Sequence, residues 1–229
     1  MENKTLKSRA LNNLNGNWGL SIGVALLAAM LGGLSISTSF NLNIDEEILQ
    51  KFPRTAIAVL TAVGSFAGTV NLLHFILGGT INLGYTRFLL DQHDGKELSC
   101  KILFSQFDRF GQGFLQKFLR GLYVFLWSLL LIIPGIVKTY SYAMTPYIMT
   151  EHPEMTAKEA ITASRQLMDG HKMELFLLQL SFIGWMILNI FTLGIGSLWL
   201  NPYMQATEAA FYRYLTGTYR PTDTYVEYE

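Results

Sequence analysis

Asn71, His74, Gly78 and Asn82 recur at spacings of three and four residues, which places them on one face of a helix. Asn201, Gln205, Glu208 and Tyr212 repeat the pattern near the C-terminus. His74 and Glu208 are the titratable members, so the chemistry open to these stripes is a polar pathway or a proton-linked site. Lys138 is the one charge between Gly121 and Thr150, and a Lys138–Glu208 pair across a bundle is geometrically open. The competing and commoner reading is interhelical hydrogen bonding. Such bonds are worth about 0.6 kcal/mol each in membranes, with Glu208 simply near the cytoplasmic interface.

No other chemistry is announced. The chain has no G-x-x-x-x-G-K-[ST], G-x-G-x-x-G, H-E-x-x-H or G-x-S-x-G sequence, so no catalytic residue is assigned and an enzyme is not expected. Asp91, His93 and Asp94 cluster, as do Glu151, His152 and Glu154, but no third cluster completes a ligand set. Neither a metal nor a cofactor is expected. Cys100 is the single cysteine, an ordinary thiol with no partner for an intrachain disulfide. Net charge is zero, which offers no field for nucleic acid.

The elements that must carry the stripes follow from where charge is missing. Ala10–Ile44, Thr55–Thr86, Gly121–Val137, Thr139–Thr150 and Leu175–Thr207 contain no Asp, Glu, Lys or Arg, and all 34 charged residues lie outside these runs. About 20 apolar residues cross a bilayer as a helix, so the fold class expected is all-α, a polytopic transmembrane bundle. Residues 1–220 form a single integral membrane domain, and 221–229 are a loose, acidic, tyrosine-rich tail. A cleavable leader ending near Ser35-Ile-Ser37 is the less simple reading of the first span.

Two topologies compete. Four spans take each run whole, near 17–39, 57–83, 118–142 and 175–199. Six spans break the third run at Pro134-Gly135, into 117–133 and 136–150. They break the last at Gly194-Ile-Gly196, into 174–193 and 196–216. Lys and Arg accumulate on the cytoplasmic side. With the N-terminus inside, six spans put 14 of the 17 basic residues there, leaving out only Lys51, Arg54 and Lys138. Four spans leave out Lys158, Arg165 and Lys172 as well. Six spans with both termini cytoplasmic are preferred, at the expense of short helices.

Three inner stretches read as amphipathic. Thr156-Ala-Lys-Glu159 is a capping box that opens a helix, with Ala160, Ile161, Ser164, Leu167 and Met168 on its apolar face and Gly170 as its stop. Phe104, Phe107, Phe110, Phe114 and Phe118 recur every three or four residues, and Leu6, Ala10 and Leu14 form a smaller stripe. These stretches either touch anionic headgroups or pack on the inner end of the bundle. Ser21, Ala25, Ala29 and Gly33, with the Gly19/Gly23 and Gly64/Gly68 pairs, suggest close helix contacts, within the chain more readily than between copies.

The C-terminal half carries a specific array. It runs Ile133-Pro134-Gly135-Ile136-Val137-Lys138, Tyr140-Ser141-Tyr142-Ala143-Met144, Ala160-Ile161 with Ser164-Arg165, and Leu167-Met168-Asp169-Gly170. It continues with Phe182-Ile183-Gly184-Trp185, Gly194-Ile195-Gly196, Asn201-Pro202-Tyr203 and Phe211-Tyr212. This array resembles the bacterial integral membrane family known as domain of unknown function 975. The likeness is strong over Phe104–Leu215 and weaker at Ala10-Leu11 and Asn17-Trp18. It is also similar to the membrane region attached to some glycerophosphodiester phosphodiesterases, and to a six-span inner-membrane family. The resemblance implies six spans in a bacterial cytoplasmic membrane and carries over no catalytic residue. The function expected is non-enzymatic, in envelope organisation or as a partner of other membrane proteins or of a second copy. The alternative is a small transporter, or a lipid- or peptide-handling component, using Asn71, His74, Asn82, Lys138, Asn201, Gln205 and Glu208.

Overall fold

The computed structural model describes residues 3–34, 54–192 and 194–217, and these are helical with no strand among them. The α-helices are α1 (Asn3–Leu14), α2 (Trp18–Met30), α3 (Arg54–His93), α4 (Phe110–Leu130) and α5 (Ile132–Ser141). They continue with α6 (Thr145–Glu151), α7 (Ala157–Leu167), α8 (Lys172–Leu180), α9 (Ile183–Phe191) and α10 (Ser197–Leu215). Two short 3-10 turns, Cys100–Phe104 and Phe107–Arg109, join α3 to α4. The possible cleavage site at 35–37, most of the expected outer segment 41–55 and the tail 221–229 lie outside the described residues.

The six segments expected to cross the membrane correspond to α2, α3, α4, α5–α6, α8–α9 and α10. Among the described residues, Lys172–Phe191 is the one helical stretch both long and apolar enough to cross a bilayer, with mean hydropathy 1.7. By that measure the six-span bundle is not reproduced: α2 has 13 residues and α5, before the turn into α6, has 10, while α4 and α10, with 21 and 19, are long enough but not apolar enough. At 1.5 Å per residue α2 and α5 reach roughly 20 and 15 Å. Helix α3 exceeds its expected end by ten residues. Nothing breaks it before Gly95, which turns the chain at φ +69°, and Arg87 supports its last turns by pairing with Asp91 at 3.1 Å.

The first hairpin turns earlier than Pro134-Gly135. The break is Leu131, whose extended backbone (φ −160°, ψ 142°) separates α4 from α5. Pro134 falls in the first turn of α5, where its missing N–H has no intrahelical partner to lose. Gly135 presses its bare Cα against Ser128, which lets α5 return tightly along α4. The second hairpin turns as expected, with Gly194 at φ +86° between α9 and α10.

Helix α3 is central. Its Ile81, Leu83, Tyr85 and Phe88 are buried with Met144 and Met149 around α6, Phe211 and Tyr212 of α10, and Leu6, Ala10 and Leu14 of α1. The capping box forms as read, with Thr156 and Glu159 capping each other, and Gly170 (φ +79°) follows α7. Ala160, Ile161, Ser164 and Met168 are buried, and the Ser164 hydroxyl donates to the Ser141 carbonyl at 2.9 Å. The α1 and α7 stripes therefore face the bundle. Of the small residues named from spacing, Ser21 and Ala25 are buried and Gly33 abuts Ile81 of α3, but the Gly19/Gly23 pair and Gly68 make no such contact. Elsewhere, Gly79 abuts the backbone of Gly113 and Gly84 that of Leu103.

Large apolar side chains are exposed at the two hairpin tips. Leu129 to Ile133 are 67–76% exposed and Phe191 is 80% exposed.

Candidate functional site

A cavity of about 460 Å³ opens between α3, α4, α5, α8 and α10. It gathers Asn82 and Thr86 from α3, Arg120 from α4 and Tyr140 from α5. Gln179 of α8 and Asn201, Gln205 and Glu208 of α10 complete its polar lining. The spacing of the C-terminal stripe explains its arrival: positions 201, 205 and 208 lie on one face of α10, and that face meets the cavity.

Four of the seven residues singled out from the sequence therefore converge: Asn82, Asn201, Gln205 and Glu208. The other three do not join them. The His74 imidazole donates through Nε2 to the Met30 carbonyl at 2.6 Å. Lys117 Nζ donates to the Gly32 carbonyl at 2.9 Å, and Asn82 Nδ2 to the Gly33 carbonyl at 3.0 Å. Carbonyls at a helix C-terminus have no partner within their own helix. The first polar stripe, joined by Lys117, is thus largely a cap on the end of α2, and His74 stands apart from Glu208. Asn71 is exposed farther along α3.

Lys138 is not a partner of Glu208. Its ammonium lies over the Trp127 ring, 4.5 Å from the centroid, in a separate pocket with Arg165 and Lys172. The cation facing Glu208 is Arg120. The two lie close enough to act on each other's charge, yet among the described residues neither makes an ion-pair contact or a hydrogen bond. Arg120 was read only as one of the inner basic residues. A signal was available: Gly113, Gln116 and Arg120 share the face of α4 that packs inward, and Gln116 is buried.

A second charged centre ties the ends of α3, α6 and α10 together. The Arg213 guanidinium donates through Nη2 to Asp94 at 2.6 Å and through Nη1 to Glu151. Tyr212 donates its hydroxyl to Glu151 at 2.8 Å and stacks on Tyr147, with centroids 5.2 Å apart. Lys96 bridges Asp91 at 3.0 Å and Asp94 at 3.3 Å. Burial pushes the Asp94 carboxyl up. A hydrogen bond from His93 and the charges of Arg213 and Lys96 outweigh it and hold the group down to about 2. Asp94 and Glu151, each read within a separate acidic–histidine cluster, thus meet on an arginine. Among the described residues no group of three or more His, Cys, Asp or Glu is placed to hold a metal.

Chemically, the first site offers a guanidinium, a carboxylate, four amides and a tyrosine hydroxyl around an open volume. Tyr140 Oη donates to Gln179 Oε1 at 3.1 Å, which orients that amide. The second centre is filled by its own side chains. No curated protein and no solved structure matches the chain. Residues 128–218 match the family described as protein of unknown function DUF975; that segment contributes Tyr140, Gln179, Asn201, Gln205 and Glu208 to the cavity, while Asn82 and Arg120 lie outside it.

Proposed function

We propose that this chain is a multi-pass protein of the bacterial cytoplasmic membrane, with both termini cytoplasmic, and that it binds a small polar molecule in the Arg120–Glu208 cavity. It acts without catalysis, as a carrier or binding component. The observation that carries this reading is the pair of opposite charges facing one cavity without being bonded to each other. Ionisable groups inside a helical bundle are costly unless they have partners. The cavity holds one charge of each sign, so a ligand with an anionic and a cationic end would satisfy both.

Membrane residence is supported by the apolar hairpin tips, whose exposure to water would be unfavourable, and by the length of Lys172–Phe191. Lys138 lines a pocket with Arg165 and Lys172, two of the basic residues expected on the cytoplasmic side. Envelope organisation through protein partners is the second reading, favoured by the same exposed tips. Specific co-purification of another membrane protein from mild detergent tests it.

The test of the first reading is mass spectrometry of small molecules that co-purify with the chain. The membrane pellet is washed at alkaline pH before extraction. The wild type is expected to carry a polar compound that R120Q and E208Q each lose while eluting as folded protein. Equal small-molecule content in all three would refute it.

A further inference from the structure

Away from that cavity, and sharing none of its lining, a pocket of about 310 Å³ lies where α5, α7 and the start of α8 meet. Lys138, Arg165 and Lys172 line it, with Ser141, Thr162 and Asp169. Arg165 and Lys172 lie close enough to Lys138 for their charges to act on it. Asp169 is the single carboxylate in the lining, and it is bound to Lys172 at 3.2 Å. Among the described residues, Lys138 and Arg165 have no carboxylate within ion-pair distance. Basic groups held together without counter-charge repel one another, and a bound anion reverses that term.

A neighbouring pocket shares Thr162 and Arg165 and adds Lys158 to an aromatic wall of Tyr123, Trp127 and Tyr142. The Tyr123 and Tyr142 rings are 6.2 Å apart, and Trp127 also lies under Lys138. Farther along the same hairpin stands the exposed apolar tip, Leu129–Ile133. Basic side chains, then amphipathic aromatic rings, then bare aliphatic surface, follow the order of headgroup, interface and acyl chain.

We propose that Lys138, Arg165 and Lys172 form a phosphate-binding site, matched to the headgroup of an anionic phospholipid whose chains lie along α4 and α5. Arg165 supplies the planar fork that suits two phosphate oxygens, and the two lysines supply point charges. Asp169 tempers the site by occupying Lys172.

The experiment uses the full chain in mild detergent. Native mass spectrometry follows retention of phosphatidylglycerol against phosphatidylcholine, and thermal unfolding follows added inorganic phosphate. The wild type is expected to retain phosphatidylglycerol selectively. K138Q and R165Q should each lower that retention about five-fold, the loss of one basic contact to an anionic surface. D169N, which frees Lys172, should raise it. Arg165 is on the exposed face of α7, so R165Q tests the site without threatening the fold. If phosphate stabilises the wild type but not R165Q, and neither lipid is preferred, the site is assigned to free phosphate. If lipid retention and the phosphate response are the same in wild type, K138Q and R165Q, the site does not exist.

Discussion

Replacing Arg213 with Gln should weaken the fold by roughly 2–3 kcal/mol. Its side chain is 7% exposed and joins Asp94, at the end of α3, to Glu151, at the end of α6. Breaking a fully buried ion pair from one side costs about 3–5 kcal/mol, because a charge is left without a partner. Here the two carboxylates are 26% and 25% exposed, and each keeps a second partner, Lys96 or Tyr212. Water and those partners recover part of the loss. For a chain of this size each kcal/mol moves Tm by about 2–4 °C, so R213Q should unfold about 4–12 °C lower at pH 7 in mild detergent. D94N made in the wild type and in R213Q closes a double-mutant cycle, with a coupling of about 1 kcal/mol or more expected.

Acid supplies a second check. The Asp94 carboxyl is held below its ordinary 3.8, at about 2, so its stabilisation is complete above pH 3.8 and fades as pH falls towards 2. Because the group is partly open to water, that component is worth roughly 1 kcal/mol. D94N should remove it. A Tm change under 2 °C in R213Q, with no coupling to D94N, would refute the clamp.

Two further outcomes are expected. An added methyl at Gly84 meets the backbone of Leu103, which cannot rotate away; G84A should cost about 1–3 kcal/mol, read as a lower denaturant midpoint, while G19A, in open space, should not. In a C100A background, K51C, in the segment expected outside, and K158C at the start of α7 should react with an impermeant thiol reagent from opposite sides of the membrane, with 158 inside; labelling of both from outside would reject the six-segment topology.

Much of this arrangement was legible from local pattern. The capping box at Thr156 and Glu159, the stop at Gly170 and the turn at Gly194 depend on neighbours in sequence, and each forms. The face of Asn201, Gln205 and Glu208 depends only on helical period, and it does line one cavity. Pro134-Gly135 misled because a proline is punctuation only outside a helix's first turn. The turn itself belongs to Leu131, which carries no local signal, and the tightness of the hairpin comes from Gly135 meeting Ser128.

The amino-acid sequence by itself determined the helical class, the helical faces and the sparse placement of charge, because these follow from short-range period and composition. It could not pair the charges. Lys138 and Glu208 looked like partners as the rare charges near membrane depth, yet Arg120 faces Glu208 and Lys138 joins Arg165 and Lys172. Asp94 and Glu151 looked like halves of separate clusters until Arg213, 119 and 62 residues away, drew them together. Likewise His74 caps a carbonyl 44 residues earlier. Which groups meet depends on how α3 packs against α2, α4, α6 and α10. Only tertiary structure decides that, because a charge acts through space over a few ångströms whatever its distance along the chain.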